Sequence, residues 1–149
     1  MRITTKINHL NFRCTECETY QEGLKVAGQL KLTCLQGHNK NAIGLAHNQI
    51  AGDKRVYVVK TKKGFRGYIN PSIVERSSET YETTEGCMSY PNKPSKVERH
   101  EWVIVRHLTT DGYVETRFEG FEATIHQHEI QHLDGIDIHH QPIGESQGE

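Results

Sequence analysis

The sequence predicts an α+β fold. Two observations support this class. Helix patterns occur near both ends of the chain, and strand patterns fill the region between them. No internal repeat or low-complexity linker interrupts the 149 residues, a length that fits one domain with a sizeable core. We therefore expect a single domain over residues 1–149, with residues 142–149 as a flexible tail.

The first predicted helix begins at a capping box, in which Thr19 is followed three residues later by Glu22. Gly37 supplies the expected stop. A stripe of residues at intervals of three to four is expected to face the core. Its members are Leu24, Ala27, Leu30, Cys34 and Leu35.

The middle of the chain reads as a series of strands. Residues 55–60 and 65–71 are rich in β-branched and aromatic side chains, and residues 73–86 suggest one or two more strands. The proline-rich residues 89–96 are expected to form a loop. Residues 97–120 then predict a hairpin with its turn near Asp111 and Gly112.

The last predicted helix, residues 121–135, contains HExxH between His128 and His132. With about 3.6 residues per helical turn, histidines at positions i and i+4 lie on one face and can share a metal ion. Glu129 then points beside the ion, where it can act as a general base on water. A polar helix face rich in histidine is the alternative interpretation of this segment.

The neighbouring residues favour the metal site. Phe121 and Ile125 fall on the same stripe as His128 and His132, so the two histidines continue an apolar face into the interior. Burying two neutral histidines without partners is costly, and a bound metal removes that cost. His126 faces elsewhere and is predicted to be a surface residue.

A third ligand is needed, because a catalytic site of this kind has three protein ligands plus water. Cys87 is the candidate, since Gly86 allows close backbone approach and Pro91 stiffens the segment that follows. The alternative is that Cys87 is a small buried apolar residue, as many free cysteines are.

At this point three segments resemble the signature motifs of peptide deformylases. They are "AIGLAHNQ", "EGCMSYP" and "HEIQHLDG", in this order, and the resemblance covers Thr19 to Ile138. It implies a peptide-deformylase-like fold, in which mostly antiparallel strands pack around the central helix that carries HExxH. It also implies a metal-dependent hydrolase that removes the formyl group from the N-terminal formylmethionine of newly synthesised proteins.

The resemblance implies a role for each matching position. Cys87, His128 and His132 match the metal ligands for one divalent ion, natively Fe²⁺, with Zn²⁺, Ni²⁺ or Co²⁺ as substitutes. Glu129 matches the general acid and base. The Gln49 side-chain amide and the Met88 backbone N–H match the two groups that donate to the formyl oxygen. Arg99 matches a structural arginine near the site. The positions that match substrate-binding residues are Ile43, Gly44, Glu85, Gly86, Phe121 and Ile125.

The first motif departs from the family pattern at two positions. The family usually has Ala-Pro before the glutamine, whereas this chain has His47 and Asn48. Asn48 can adopt turn geometry, but it leaves the loop less rigid than proline does. We interpret His47 as a solvent-facing or hydrogen-bonded residue rather than a ligand.

The expected partner is an N-formylmethionyl nascent peptide. Family members with a C-terminal helix use it on the ribosome, and the short segment after Ile138 leaves ribosome docking open. This short form resembles deformylases encoded by phages. We expect a monomer.

The composition argues against other classes of partner. The formal net charge of -1 predicts no basic face for duplex nucleic acid. The longest apolar runs are too short to cross a bilayer, and the first residues lack the apolar segment of a signal peptide. A cytoplasmic protein of a bacterium, or of a phage-infected host cell, follows as an expectation.

Two alternative functions remain at this stage. One is a non-catalytic zinc-ribbon protein, in which Cys14, Cys17, Cys34 and His38 bind a structural ion. Against it, Cys34 lies on the apolar stripe of the first helix, far from the other two cysteines. The second alternative is a metallopeptidase that uses HExxH to cleave peptide bonds.

Overall fold

The structure, a computed structural model, describes residues 2–140, so the expected tail at 142–149 lies outside the described residues. These residues form three α-helices: α1 (Ile7–Leu10), α2 (Tyr20–Cys34) and α3 (Gly120–Leu133). The strands are β1 (Gly44–Ala46), β2 (Val56–Thr61), β3 (Gly64–Arg76), β4 (Thr80–Cys87), β5 (Tyr90–His100), β6 (Trp102–Thr109) and β7 (Gly112–Glu119).

The strands form two antiparallel sheets, which confirms the predicted α+β class. The larger sheet has the order β1-β2-β3-β6-β7, and β4 pairs only with β5. The hairpin between β6 and β7 closes at the pair Thr109 and Gly112, where the sequence predicts its turn. Gly112 has a φ of 101°, a conformation that glycine adopts without strain.

The larger sheet lies between α2 and α3, and β2 shows why. Its side chains alternate, so that Val56 and Val58 join the cluster that contains the buried face of α2. Tyr57 and Val59 join the cluster that contains α3. Each such side chain contributes about 1.5–3 kcal/mol on burial, so the strand contributes apolar surface to both clusters.

The N-terminus of α2 follows the prediction, but its buried face does not follow it throughout. The Thr19 hydroxyl accepts a hydrogen bond from the Glu22 N–H at 3.1 Å. Leu24 is 48% exposed and Leu35 is 71% exposed, so the prediction that both face the core is wrong. The reason is Gly23, because a Cβ atom there would lie 2.4 Å from Ile69. The helix approaches β3 through this glycine, which turns Leu24 outward.

The helix α2 also ends earlier than predicted, at Cys34, and Leu35 is its C-cap. The expected stop at Gly37 is therefore wrong by three residues. Asn39 explains the early end, since its side-chain amide donates to the Thr33 carbonyl at 2.8 Å. A side chain thus takes the place of the next helical turn.

The expected loop at residues 89–96 is wrong, because from Tyr90 onward these residues form the first part of β5. Cys87 pairs with Tyr90 and Glu85 pairs with Ser95, so the residues between them form a bulge opposite Gly86. Both prolines of the segment lie in this bulge, where a missing N–H does not break the ladder.

The prediction for His126 is also wrong, since this residue is only 1% exposed. Its ring stacks on Phe118 with centroids 3.6 Å apart, and its Nδ1 lies 2.6 Å from the Tyr57 hydroxyl. Burial lowers the pKa of His126 to about 3, which keeps the ring neutral. The cause is that α3 packs on the large sheet on one side and on β5 on another, so little of its circumference reaches solvent.

Phe121 is the opposite case. The sequence places it on the inward stripe of α3, but the structure leaves it 69% exposed in the first turn of the helix.

Among residues 2–140, no helix combines the length and the apolarity that a membrane span requires.

Candidate active site

Two histidines on α3 form the base of the candidate site. The Nδ1 of His128 donates to the Glu85 carboxylate at 2.9 Å, which turns its Nε2 toward Cys87, where it could bind a metal. The Nε2 of His132 lies 3.3 Å from the Cys87 Sγ. The two rings are 4.9 Å apart, as expected for positions i and i+4 of a helix.

Cys87, at the end of β4, brings a thiol to these histidines. One ligand atom from each of Cys87, His128 and His132 lies within 4.8 Å of the others. Within the described chain, this is the one group of three or more histidine, cysteine or acidic side chains with metal-binding spacing.

The other three cysteines do not form a second site. Cys14 packs in the α3 cluster, whereas Cys17 and Cys34 pack in the α2 cluster. Burial raises the pKa of Cys14 to about 12, of Cys17 to about 11 and of Cys34 to about 12, which disfavours the thiolate that binds metal. The structure therefore gives no support to the zinc-ribbon alternative.

The electrostatics of the Cys87 site fit a cation. Burial opposes charge on His128, but its hydrogen bonds to Cys87 and Glu85 raise its pKa to about 10, so the site draws a proton. Burial lowers the pKa of His132 and keeps its nitrogen lone pair available. One thiol and two imidazoles are ligands that divalent transition metals prefer, so the donor set fits such an ion.

Glu129 lies beside the three ligands and is buried. Burial raises its pKa to about 7, near the range in which a carboxyl group can both accept and donate a proton. Its Oε1 has no hydrogen-bond partner in the described part of the protein. A Cβ atom at Gly44 would lie 2.6 Å from the Glu129 Oε2, so only glycine allows β1 to approach this carboxylate.

Glu85 makes hydrogen bonds that its prediction as a substrate-binding residue did not anticipate. Its carboxylate accepts two hydrogen bonds from Arg99, at 2.8 and 2.7 Å, besides the one from His128. Although Glu85 is largely buried, which alone would raise its pKa, the bonds from Arg99 and His128 hold that pKa at about 2. Arg99 also donates to the Gln131 Oε1 at 2.6 Å, so the structural role expected for Arg99 has a geometric basis.

Gln49 points at the same site from the 3₁₀ turn His47–Ile50. Its Oε1 accepts from the Ala46 N–H at 3.0 Å, which turns its Nε2 toward Cys87 and Ser89.

His47 is buried, and its Nδ1 accepts from the Lys54 N–H at 3.0 Å. The interpretation of His47 as a hydrogen-bonded residue is therefore confirmed.

These groups line one cleft with a volume of about 810 Å³. The sequence-predicted positions that line it, besides Cys87, His128, Glu129 and Gln49, are Ile43, Gly44, Glu85, Gly86, Met88, Phe121 and Ile125. His132 is the exception, since it lies fully buried behind the cleft. The lining also includes His38, Asn41 and Lys93, which lie outside the three motifs, and Tyr90, which lies in the second motif without an assigned role.

The family model for polypeptide deformylase matches residues 6–145, nearly the whole chain. The chain belongs to the polypeptide deformylase family. This assignment agrees with the three sequence motifs and with the joint presence of Cys87 and HExxH in one cleft.

Curated members of the family give the same result over part of their length. The chain is 37% identical over 100 residues to the peptide deformylase of Thermotoga petrophila, in a match that covers 66% of this chain and 61% of that protein. It is 43% identical over 101 residues to the enzyme of Fusobacterium nucleatum, covering 66% of this chain and 58% of that protein. The aligned region thus spans about three fifths of these relatives.

Solved deformylase structures match over more of the chain. The Thermotoga maritima enzyme has a TM-score of 0.82 at 32% identity, covering 92% of this chain and 93% of that one. A Met-Ala-Ser-bound class I type b deformylase from Acinetobacter baumannii has a TM-score of 0.83 at 31% identity, covering 95% and 98%. A probable deformylase of Synechococcus phage S-SSM7 has a TM-score of 0.79 at 30% identity, covering 93% and 97%.

Sequence reasoning missed the contacts of three residues that support this site. Ser89, which lies within the second motif, accepts a hydrogen bond from the Gln49 Nε2 at 3.2 Å. Tyr90 donates to the Asp137 Oδ2 at 2.8 Å, and Asn48 donates to the His132 carbonyl at 2.6 Å. None of these contacts has a local signal, because each joins residues far apart in the chain.

Proposed function

We propose that this protein is a metal-dependent hydrolase that removes the formyl group from the N-terminal formylmethionine of newly synthesised peptides. The observation that carries the proposal is the convergence of Cys87 with His128 and His132, beside the buried Glu129 and in one cleft. A thiol in this position distinguishes the site from an HExxH site completed by a carboxylate or a third histidine.

Cys87, His128 and His132 would hold one divalent ion, and Fe²⁺ is the ion we propose as native. Zn²⁺, Ni²⁺ and Co²⁺ suit the same donors and are expected to substitute. When bound, the ion supplies Lewis acidity, which polarises the formyl carbonyl and makes water a stronger acid.

Glu129 is the proposed proton carrier. It takes a proton from the attacking water and returns it to the methionine nitrogen as the C–N bond breaks, which releases formate and a free amino terminus. Its buried place beside the ligands supports this role, because the carboxylate shares the water-accessible cleft with Cys87 and His128.

Gln49 and Met88 are proposed to stabilise the developing charge on the formyl oxygen. The Gln49 Nε2 points toward Cys87, at 3.5 Å from its sulfur, and the Met88 backbone N–H follows Cys87 directly in the chain. Donors held ready at such an oxygen lower the barrier, and losing one typically costs about 10²–10³ in rate.

The substrate side of the cleft is proposed to hold the methionine side chain and the peptide backbone. Ile43, Phe121 and Ile125 offer apolar surface for a thioether side chain, with Glu85 and Gly86 on the adjoining wall. Gly44 is proposed to contact the peptide backbone, since it has no side chain to block the approach beside Glu129.

The setting proposed for this reaction is the cytoplasm, with nascent peptides as substrates and the protein acting as a monomer.

The test is release of formate from formyl-Met-Ala-Ser by protein loaded with Ni²⁺ or Co²⁺. We expect Glu129→Gln to lower kcat/KM by about 10²–10⁴-fold, because the proton carrier is lost. Glu122→Gln, an exposed change in the first turn of α3, is the matched control and should remain close to wild type. Removal of the metal with a chelator should abolish release, and adding the metal back should restore it.

Unformylated Met-Ala-Ser and longer peptides serve as the second substrate set. Cleavage of their peptide bonds, with no formate from the formylated peptide, would overturn the proposal in favour of an HExxH metallopeptidase. A fully active Glu129→Gln protein would overturn the mechanism while leaving the reaction in place.

A further inference from the structure

Asn48 is fully buried in the 3₁₀ turn, at a position where the family motif usually has proline. Its Nδ2 donates to the His132 carbonyl at 2.6 Å and approaches the Leu10 carbonyl at 3.4 Å. The orientation of the amide follows from these neighbours, since both are carbonyl oxygens and can only accept. Its Oδ1 has no partner in the described part of the protein.

The His132 carbonyl lies in the last turn of α3, where helical carbonyls lack partners within the helix. It also accepts from the Gly135 N–H at 3.0 Å, and Asn48 adds a side-chain hydrogen bond to this carbonyl. The next carbonyl, of Leu133, accepts from the Cys14 N–H and from Arg55. The end of the helix that bears a metal ligand is therefore held by side chains and backbone from elsewhere in the fold.

The residue after Asn48 in the chain points the other way. The Gln49 Nε2 donates toward Cys87 and Ser89, on the hairpin of β4 and β5. One short turn thus contacts the His132 ligand through Asn48 and the Cys87 ligand through Gln49. A proline at position 48 would stiffen the turn but could not donate this hydrogen bond.

We propose that Asn48 is a positioning residue, which fixes the Gln49 amide relative to the His132 ligand. The part of this inference that concerns Gln49 rests on the proposed function. The part that concerns His132 does not, because it predicts how tightly the site holds a metal whatever the reaction.

The test compares Asn48→Ala with Asn39→Ala. The control is closely matched, since Asn39 is also buried and its Nδ2 donates to a carbonyl in the last turn of a helix, that of Thr33 in α2. Both variants lose one buried amide donor at a helix C-terminus, but only Asn48 contacts the candidate site. Both proteins are loaded with Co²⁺, and loss of the thiolate absorption band on adding EDTA reports metal release.

We expect Asn48→Ala to release Co²⁺ about 10-fold faster than wild type, a typical effect of removing a group that orients a ligand. Its kcat for formyl-Met-Ala-Ser should fall about 10-fold with KM within about twofold, because the oxyanion donor is misplaced while substrate contacts remain. Both variants should lower the urea midpoint of unfolding by similar amounts, because each loses one buried hydrogen bond. Asn39→Ala should leave metal release and kcat unchanged.

Equal metal release and equal kcat in both variants, with only the unfolding midpoint lowered, would show that Asn48 is merely structural. If Asn48→Ala does not fold, Asn48→Ser takes its place, and wild-type metal release by that protein overturns the proposal. Failure of the proposed function is a separate outcome, seen when wild type releases no formate while the Co²⁺ comparison still distinguishes the two variants.

Discussion

At Glu85 one carboxylate serves partners from several elements. It accepts two hydrogen bonds from Arg99 on β5 and one from His128 on α3, and the Thr83 hydroxyl adds another at 2.5 Å. Arg99 is only 1% exposed, so its charge depends on this partner. A buried cation that loses its anion has no solvent to compensate, which makes Glu85 important for stability as well as for the orientation of His128.

The first prediction concerns Glu85→Gln. We expect the metal-free protein to lose about 3 kcal/mol of stability, because the Arg99 charge stays buried without an anion. Loss of Co²⁺ to a chelator should be about 10-fold faster, since His128 loses its carboxylate partner. Urea unfolding measures the first effect, and absorbance of the cobalt-loaded protein measures the second.

Glu82→Gln is the control for this prediction. Glu82 lies on the same strand, but its pair with Lys96 is 3.9 Å long and both side chains are exposed. Exposed pairs of this kind contribute about 0–1 kcal/mol. Equal loss of stability in Glu85→Gln and Glu82→Gln would contradict the role given to Glu85.

At the scale of elements, the hairpin of β4 and β5 is the part whose position depends most on side chains. It pairs with no strand of the larger sheet. Gln127 of α3 bridges the N–H and carbonyl of His100 at 2.8 and 2.9 Å, near one end. Near the other end, Tyr90 donates to Asp137 and the His139 Nε2 donates to the Lys93 carbonyl at 2.6 Å. The segment after α3 therefore helps to hold the turn that carries Cys87.

The second prediction concerns Tyr90→Phe, which removes the hydrogen bond to Asp137. A hydrogen bond of about 1 kcal/mol corresponds to about fivefold in an opening equilibrium, so amide exchange in residues 87–94 should be about fivefold faster. Hydrogen exchange followed by mass spectrometry measures this change on the metal-loaded protein.

Tyr81→Phe provides the comparison, because the Tyr81 hydroxyl hydrogen-bonds Thr124 near the opposite end of the same hairpin. Its effect should be confined to that end. If both variants accelerate exchange along the whole hairpin, the two ends are not held independently, and the role given to Tyr90 is wrong.

For the whole molecule, buried neutral histidines set the response to acid. His47 and His107 are both buried, and burial lowers the pKa of each. Below a pH of about 6.5 the unfolded chain takes up protons that these folded rings refuse, so the unfolded state binds more protons. The stabilisation that comes from these two neutral histidines is therefore complete above that pH. It is lost progressively as the pH falls toward the pKa values of the two rings in the folded protein.

The third prediction tests this with His107→Gln, in which an amide that does not titrate replaces the ring beside Thr116. The urea midpoint of wild type should fall between pH 7 and pH 5, and that of His107→Gln should fall less. One such histidine contributes at most about 1.4 kcal/mol per pH unit. His38→Gln, which replaces an exposed ring, is the control, and an identical acid response in all three proteins would contradict the prediction.

The parts of this protein that could be predicted from the sequence depend on short-range rules. The helix period places His128 and His132 one turn apart, and the Thr19 cap and the turn at Gly112 use only neighbouring residues. The α+β class follows from periodicity in the same way. Helix geometry alone does not bring Cys87 or Gln49 to the site: the need for a third ligand and the flanks of Cys87 indicated the first, and the family motifs added the second.

The sequence predictions that were wrong have a common cause, which is packing between segments that are distant in the chain. The helix α2 turns Leu24 outward because Gly23 meets Ile69. His126 is buried because α3 is covered by the large sheet and by β5, and the prolines of β5 are tolerated because they fall in a bulge. No local pattern encodes such contacts, since each depends on the shape of a surface made by another part of the chain.

The sequence by itself thus determined the fold class, the spacing of the two histidines and the family. Only the tertiary structure decided that Glu85 joins Arg99 to His128, that Asn48 holds the His132 carbonyl, and that Tyr90 ties the Cys87 turn to Asp137. The physical reason is range. Helix and turn geometry follow from residues a few positions apart, whereas a hydrogen bond between buried side chains on separate elements exists only once packing has brought those elements together.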